Sequence, residues 1–147
     1  MRAEDVPESL ANRPAPEYDP TPAVSGKPLD QRRIALISTA GLMHRGDPPF
    51  TIKSNDFRIL DAESETDLMM SHVSTNFDRT GFVQDHNVVL PIDRLQEKAA
   101  KGEIGSVARY HYSFMGALPP TSMAEAASTL VKTLKGDEVD GLILVPV

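Results

Sequence analysis

Two residues that could take part in proton transfer lie close together in one polar stretch of the sequence. His72 and Asp78 are six residues apart in the segment SHVSTNFDRTGFVQDHN, which covers residues 71–87. A histidine can accept or release a proton near neutral pH, and a carboxylate can hold its ring in one orientation. We therefore predict that His72 acts as a catalytic acid or base and that Asp78 orients it; a polar loop without a chemical role is the alternative.

Small and hydroxyl-bearing residues occur where two apolar runs of the sequence end. Ser38, Thr39 and Gly41 close the run that begins at residue 34, and Ser113 and Gly116 close the run that begins at residue 107. If both runs are strands of one parallel sheet, their carboxyl ends meet at a single edge, where ligands commonly bind. We predict that these five residues bind the substrate; the alternative is that the glycines only terminate the strands.

Several other kinds of site are excluded by the sequence or receive no support from it. There is no cysteine, so these residues hold no disulfide, thiolate metal site or cysteine nucleophile. The glycine patterns of nucleotide-binding loops and of serine-hydrolase elbows do not occur. The histidines are not spaced as metal ligands on one helix face, so we predict no metal site; they are His44, His72, His86 and His111.

Composition and charge are those of a globular protein with one domain of ordinary size. Of the 147 residues, 40% are hydrophobic and 24% are charged, and the formal net charge is -6. This acidic balance argues against nucleic-acid binding through a basic surface, and no apolar segment approaches the ~18 residues that span a bilayer. The N-terminus lacks the apolar segment of a secretory signal, so we predict a cytoplasmic protein without membrane contact.

The first thirty residues differ in composition from the rest of the chain. Residues 1–30 contain six of the twelve prolines and few large apolar side chains, so they cannot form a core of their own. We predict an extended arm that lies on this domain or on a neighbour, with a disordered tail as the alternative. Residues 31–147 are predicted to form the folded domain.

Short apolar runs predict the strands of that domain. We expect strands at residues 34–41, 56–60, 107–115 and 141–147, and a short element at 67–70. Residues 42–50 are expected to form a loop because of Pro48 and Pro49, and most of the segment 61–86 is expected to be loop as well. The last run is so apolar that we expect a strand buried on both faces.

Two segments predict helices. One begins after Pro91 and stops at Gly102. The other covers residues 122–135, with Ser122 and Glu125 as a capping box and an apolar face of Met123, Ala127, Leu130, Val131 and Leu134. Strand, helix and strand in this order predict a right-handed β-α-β crossover. The expected fold is therefore α/β and Rossmann-like, with a mainly parallel sheet that is incomplete at its C-terminal side.

Four segments together resemble the selenoprotein B family, which comprises the substrate-specific component of glycine/sarcosine/betaine reductase and a subunit of D-proline reductase. They are IALISTAGLMHRGDPPF, DLMMSH, DHNVVLPIDRLQEKAAKGEIGSVARYHYSFMG and VDGLILVPV, in the family's order. The resemblance covers residues 34–147 and is most specific between residues 90 and 116. The proline-rich arm lies outside it.

The resemblance implies a reductase that cleaves a C–N bond of a small amine or amino acid. In the family a selenocysteine, or in some members a cysteine, directly follows this closing strand and acts as the nucleophile. A partner subunit carries a pyruvoyl group in the glycine and proline systems, so the resemblance implies a partner subunit and no cofactor in this chain. We also expect copies of the chain to associate, because a strand without a neighbour leaves apolar surface uncovered.

The sequence departs from the family where the nucleophile is expected, because no residue follows Val147. One interpretation is a UGA selenocysteine codon read as a stop, and the other is a genuinely shortened homologue; the codon after Val147 separates them. Without the nucleophile, the 147 residues alone are expected to be inactive. A non-catalytic module for binding or assembly, which keeps only the scaffold, is therefore the alternative function.

Overall fold

A mostly parallel sheet lies at the centre of the computed structural model, which describes residues 17, 20, 24–74 and 78–147. The strands are β1 (Arg33–Ser38), β2 (Leu42–His44), β3 (Phe57–Asp61), β4 (Leu68–Met70), β5 (Ser106–Val107), β6 (Tyr110–Phe114) and β7 (Gly141–Val145). The helices are α1 (Thr80–Gln84), α2 (Ile92–Ala100) and α3 (Ala124–Gly136). Short 3-10 turns occur at Leu29–Gln31, His86–Val88 and Pro120–Met123.

β1 is the central strand, and all of its neighbours run parallel to it. β5 and β6 pair with β1 along one side, and β7 pairs with it along the other. β3 adds to the far side of β6 in the antiparallel direction. The α/β class, the mostly parallel sheet and the parallel arrangement of the last two strands are confirmed.

The alternating side chains of β1 give the sheet two apolar faces, each covered by one helix. On one face Ile34 and Leu36 belong to a core that includes Leu95 of α2. On the other face Ala35 lies in a core with Leu130 and Leu134 of α3. A strand that is buried on both faces consists of consecutive apolar residues, which is why β1 can be recognised in the sequence.

Two predicted loops contain regular structure. Residues 42–44 form β2, which pairs antiparallel with β4 through Leu42 and Met70. The two prolines that argued for a loop follow this strand and do not interrupt it. The segment predicted as loop before residue 86 contains the helix α1. The predicted short element at 67–70 is confirmed as β4.

The predicted strand at 107–115 is broken into β5 and β6. Ile34 pairs with Val107 and Ile37 pairs with Tyr112, so two residues of β1 face four residues of the neighbouring segment. At the break, the Leu36 amide donates to Nδ1 of His111 at 3.0 Å instead of to a backbone carbonyl. The imidazole therefore completes the pairing of the central strand. His111 is fully buried, and its Nε2 atom has no hydrogen-bond partner.

The predicted capping box at the start of α3 does not form. Ser122 lies in the preceding 3-10 turn, where its hydroxyl donates to the Pro119 carbonyl at 2.7 Å. Pro120 occupies the start of that turn, so the α-helix begins only at Ala124. The buried face of α3 is also narrower than predicted, because Leu130 and Leu134 are buried whereas Ala127 and Val131 are exposed.

The last strand is an edge strand, which corrects the prediction that it is buried on both faces. Leu142, Ile143 and Leu144 of β7 are 44%, 41% and 66% exposed. The described helices cover β1 and β6 and leave β7 largely open. A groove of about 430 Å³ runs beside β7, with Leu95 and Ile104 among its lining residues. Apolar edge strands of this kind tend to pair with other chains.

We expect Leu144→Lys to weaken self-association of the chain at least ~10-fold, because it removes exposed apolar surface and adds a charge to the edge. Sedimentation velocity over a range of concentrations would measure the effect. Val83→Lys is the matched control, since Val83 is 80% exposed on α1 and lies outside β7. Equal behaviour of the two variants, or a wild-type chain that stays monomeric throughout, would contradict this expectation.

The part of the arm that the structure describes is attached to the domain. The Lys27 ammonium lies 3.0 Å from the Asp140 carboxylate, and the Leu29 carbonyl accepts a hydrogen bond from the Gly105 amide. Residues 1–16, 18–19 and 21–23 lie outside the described residues, so the extended arm and the domain boundary stay predictions. None of the helices in the described ranges is both long enough and apolar enough to cross a membrane.

Candidate functional site

The candidate site lies where the carboxyl ends of β1, β6 and β7 meet. The Thr39 amide donates to the Val145 carbonyl at 3.1 Å, and the Gly41 amide donates to the Phe114 carbonyl at 2.9 Å. The chain leaving β1 is therefore tied to both neighbouring strands. The convergence of these three strand ends, which the parallel topology predicts, is present in the structure.

Ser38 and Ser113 are register partners on β1 and β6, and both are fully buried. The Ser38 hydroxyl accepts a hydrogen bond from the Ala40 amide at 3.2 Å. The Ser113 hydroxyl accepts one from the Leu42 amide at 2.8 Å and donates to the Phe114 carbonyl at 3.3 Å. Both hydroxyls thus hold the turn after β1. Substrate binding by these serines stays a prediction.

Thr39 and Gly116 touch each other at the same edge. A Cβ atom placed on Gly116 would lie 2.7 Å from both the Cβ atom and the carbonyl oxygen of Thr39. Gly116 also has a φ of +79°, a region that favours glycine. Glycine is required here because the backbone after β6 passes directly over Thr39. Contact of Thr39 and Gly116 with substrate stays a prediction.

Gly41 brings the segment of His72 to the ends of the strands. The Gly41 carbonyl accepts a hydrogen bond from the Ser71 amide at 2.8 Å. A Cβ atom on Gly41 would lie 2.9 Å from the backbone nitrogen and Cα atom of His72. His72 and Ser113 therefore adjoin the same turn, His72 through Gly41 and Ser113 through Leu42.

The His72 ring is buried and has a defined hydrogen bond. Its Nδ1 atom accepts a hydrogen bond from the Ser74 amide at 3.1 Å, which makes Nε2 the protonated nitrogen of the neutral ring. Burial, together with the nearby Arg79 guanidinium, lowers the pKa of His72. Arg79 also donates to the carbonyls of His72 and Ser74 at 2.6 Å. The ring is therefore neutral at physiological pH.

Asp78 lies just before α1 and has a hydrogen-bond partner there. Its Oδ1 atom accepts a hydrogen bond from the Thr80 amide at 2.8 Å, and hydrogen bonds from Thr80 lower its pKa. Asp78 therefore holds the start of α1, and the Nδ1 atom of His72 is already occupied by Ser74. An orienting contact from Asp78 would have to reach Nε2, and that role stays a prediction.

The structure brings six of the seven predicted site residues to the ends of the strands or into contact with them; they are Ser38, Thr39, Gly41, His72, Ser113 and Gly116. Two further residues of the site, Ser71 and Arg79, were not predicted. The Ser71 amide attaches the His72 segment to the turn at Gly41, and Arg79 binds two backbone carbonyls of that segment. Both residues bind backbone carbonyls, and no sequence motif indicates such contacts. Over residues 24–74 and 78–147, no group of three or more acidic or histidine side chains could hold a metal ion.

Comparisons with known proteins give one consistent result. Residues 10–147 match the family model described as glycine/sarcosine/betaine reductase selenoprotein B. The chain is 31% identical to the glycine reductase complex component B subunit gamma of Carboxydothermus hydrogenoformans, over 89% of this chain and 32% of that protein. It is 28% identical to the sarcosine reductase complex component B subunit beta of Peptoclostridium acidaminophilum, with the same two shares.

The chain spans about a third of the length of the curated relatives that it matches. The betaine reductase complex component B subunit beta of Peptoclostridium acidaminophilum is 29% identical, over 80% of this chain and 28% of its own. No solved structure matches the chain. The similarity therefore concerns one part of these larger complex components.

Proposed function

The chain belongs to the glycine/sarcosine/betaine reductase selenoprotein B family, and from this premise we propose that it is a subunit of a reductase of that type. Its reaction is the reductive cleavage of a C–N bond in a small amine or amino acid, such as glycine, sarcosine, betaine or proline. The curated relatives are components of reductase complexes that act on three of these compounds. A pyruvoyl-bearing partner subunit is part of this proposal.

The observation that carries the proposal is the meeting of three strand ends beside His72. Parallel sheets bind ligands at such an edge, because the strand ends leave space there and the loops supply polar groups. By resemblance, the selenocysteine or cysteine follows directly after Val147, whose amide hydrogen-bonds to Thr39 at this edge. A selenolate is ionised at neutral pH, and a strand end exposes it to substrate.

The proposed role of His72 follows from its position and its protonation state. The ring is neutral and lies against the turn at Gly41 beside the strand ends, where a neutral imidazole can act as acid or base toward a substrate. We further propose that β6, α3 and β7 form a right-handed crossover of a Rossmann-like sheet. Parallel β6 and β7 on opposite sides of β1, with α3 packed on one face, support this arrangement.

Gene disruption in the source organism tests the function. Extracts would be assayed separately with glycine, sarcosine, betaine and D-proline for release of the corresponding amine or of the reduced proline product. We expect the loss of one of these activities and its return with the wild-type gene. His72→Gln is expected to lower kcat by at least ~100-fold, whereas the matched control His86→Gln, at a half-buried residue of a 3-10 turn, restores activity.

The alternative function, a non-catalytic assembly module, predicts a different outcome of the same experiment. Disruption would then abolish the complex, and His72→Gln would restore activity as well as the wild-type gene does. Affinity purification of the tagged chain reports on assembly in both cases. Unchanged C–N reductase activity after disruption, together with no reductase subunit bound to the tagged chain, would refute both functions.

A further inference from the structure

The chain after β7 is held by one side chain of the central strand's end. The last register pair between β1 and β7 is Ser38 with Val145. Beyond that pair, the Thr39 hydroxyl oxygen accepts a hydrogen bond from the Val147 amide at 2.8 Å. The same hydroxyl donates to the Val147 carbonyl at 3.4 Å, and the Thr39 amide donates to the Val145 carbonyl. Thr39 therefore binds the backbone at Val145, the last residue of β7, and at Val147, on the other side of Pro146.

Register pairing between β1 and β7 ends before Val147 is reached. Val145 is the residue of the last pair whose carbonyl faces β1, so the next amide that points toward β1 is that of Val147, and the amide position of Pro146 points away. Val147 offers the next backbone donor, and the threonine hydroxyl accepts it. The hydroxyl thus replaces a backbone acceptor just where the strand pairing ends.

Gly116 keeps the Thr39 side chain in place. The backbone at Gly116 approaches the Cβ atom of Thr39 so closely that any larger residue would collide with it. A β-branched side chain has few χ1 positions available, and this contact restricts Thr39 further. The hydroxyl is therefore presented to Val147 in one orientation.

We infer that Thr39 is a positioning residue that fixes where the chain leaves β7. This inference rests on the proposed function in one respect, since the redox residue is proposed to follow Val147. Thr39 then acts on the backbone that carries the redox residue, and the substrate-binding role that its position in the sequence suggested stays a separate prediction. Loss of the hydroxyl would leave that backbone free to move relative to His72 and the turn at Gly41.

Amide hydrogen exchange in the ¹⁵N-labelled full chain tests the contact directly. We expect the Val147 amide to be protected in the wild type and in Thr39→Ser, and to exchange up to ~10-fold faster in Thr39→Val, because one hydrogen bond is lost. Thr133→Val is the matched control, since Thr133 lies on α3 and its hydroxyl bonds within that helix. A wild-type Val147 amide that exchanges at the rate of an unstructured peptide overturns the inference, and so does unchanged exchange in Thr39→Val.

A second measurement separates this inference from the function on which it rests. In the complemented strain, Thr39→Val is expected to lower kcat more than it changes KM, and Thr39→Ser is expected to restore most of kcat. A purely structural role would instead lower the amount and the Tm of the variant. If the exchange results hold but no amine is reduced by any strain, the proposed function fails and the positioning contact stands. If the wild type is active and Thr39→Val matches it in kcat, the positioning role fails.

Discussion

Replacing Gly41 with alanine is expected to destabilise the folded chain by about 3 kcal/mol. Gly41 has a φ of +65°, which costs an alanine of the order of 1–2 kcal/mol. The added Cβ atom would also lie 2.9 Å from the backbone of His72, so the His72 segment must move away from the turn. Urea unfolding at neutral pH measures the loss, and the NMR signals of the His72 ring report the displacement.

Gly102→Ala separates backbone strain from the collision. Gly102 has a similar φ of +71°, but no atom lies within 4 Å of the position of its Cβ. We expect this variant to lose only about 1 kcal/mol. If the two variants unfold at the same urea concentration, the His72 segment does not pack on Gly41, and the proposed arrangement of the site is wrong.

The second large effect is a loss of stability in acid caused by His111. Burial lowers the pKa of His111 to about 4 in the folded chain, whereas an unfolded chain has a histidine pKa of about 6.5. Between these values the unfolded state binds a proton that the folded state does not, so stability falls as the pH falls from about 6.5 to about 4. The total loss is about 3 kcal/mol, and above pH 6.5 there is none.

His111→Asn tests this effect, because the Oδ1 atom of asparagine can accept the Leu36 amide hydrogen without titrating. Its stability at neutral pH is expected to be lower, since the smaller side chain leaves a cavity. Urea unfolding between pH 7.5 and pH 4 should nevertheless show a weaker pH dependence than in the wild type. His86→Asn, at a half-buried position outside the sheet, is expected to keep the wild-type dependence. Identical pH dependence in His111→Asn and the wild type would exclude His111 as the cause.

The elements that could be predicted are those whose signal is local. β1 and β3 are short apolar runs, and α2 has a proline before it and a glycine after it, so composition alone indicates them. β2 could not be predicted, because its three residues become a strand only by pairing with β4 more than twenty residues away. The capping box failed because two prolines before it determine where the helix starts.

Exposure of β7 and the break between β5 and β6 depend on tertiary structure. An apolar run indicates a strand but does not indicate which elements cover it, so the edge position of β7 had no signal in the sequence. The break depends on one side chain, since His111 supplies the acceptor that the backbone does not. No periodic pattern in the sequence indicates that a side chain takes the place of a backbone acceptor.

For the site, the predicted topology gave the correct position at the strand ends, but it did not give the hydrogen-bond partners of the side chains. Parallel strands bring Ser38, Thr39 and Ser113 to one edge, which follows from the order of the elements. The contacts of their hydroxyl groups with backbone amides could not be inferred from residue types. Spacing suggested that Asp78 orients His72, and this stays a prediction; the hydrogen bonds of the two side chains with the Ser74 and Thr80 amides could not be inferred from spacing.

The central position of β1 also determines when the chain can fold during synthesis. Arg33 at the start of β1 pairs with Ser106, and Ser38 at its end pairs with Val145, so β1 has no paired neighbour until Ser106 has been made and lacks its last one until Val145 has been made. At 5–20 residues per second, the ribosome needs about 5–20 s to pass from Ser38 to Val145. During that time β1 lacks β7, and for the first part of it β1 also lacks β5 and β6; pairing over such long separations is intrinsically slow. The nascent chain is therefore a natural client for chaperones that shield apolar segments until translation has passed β7.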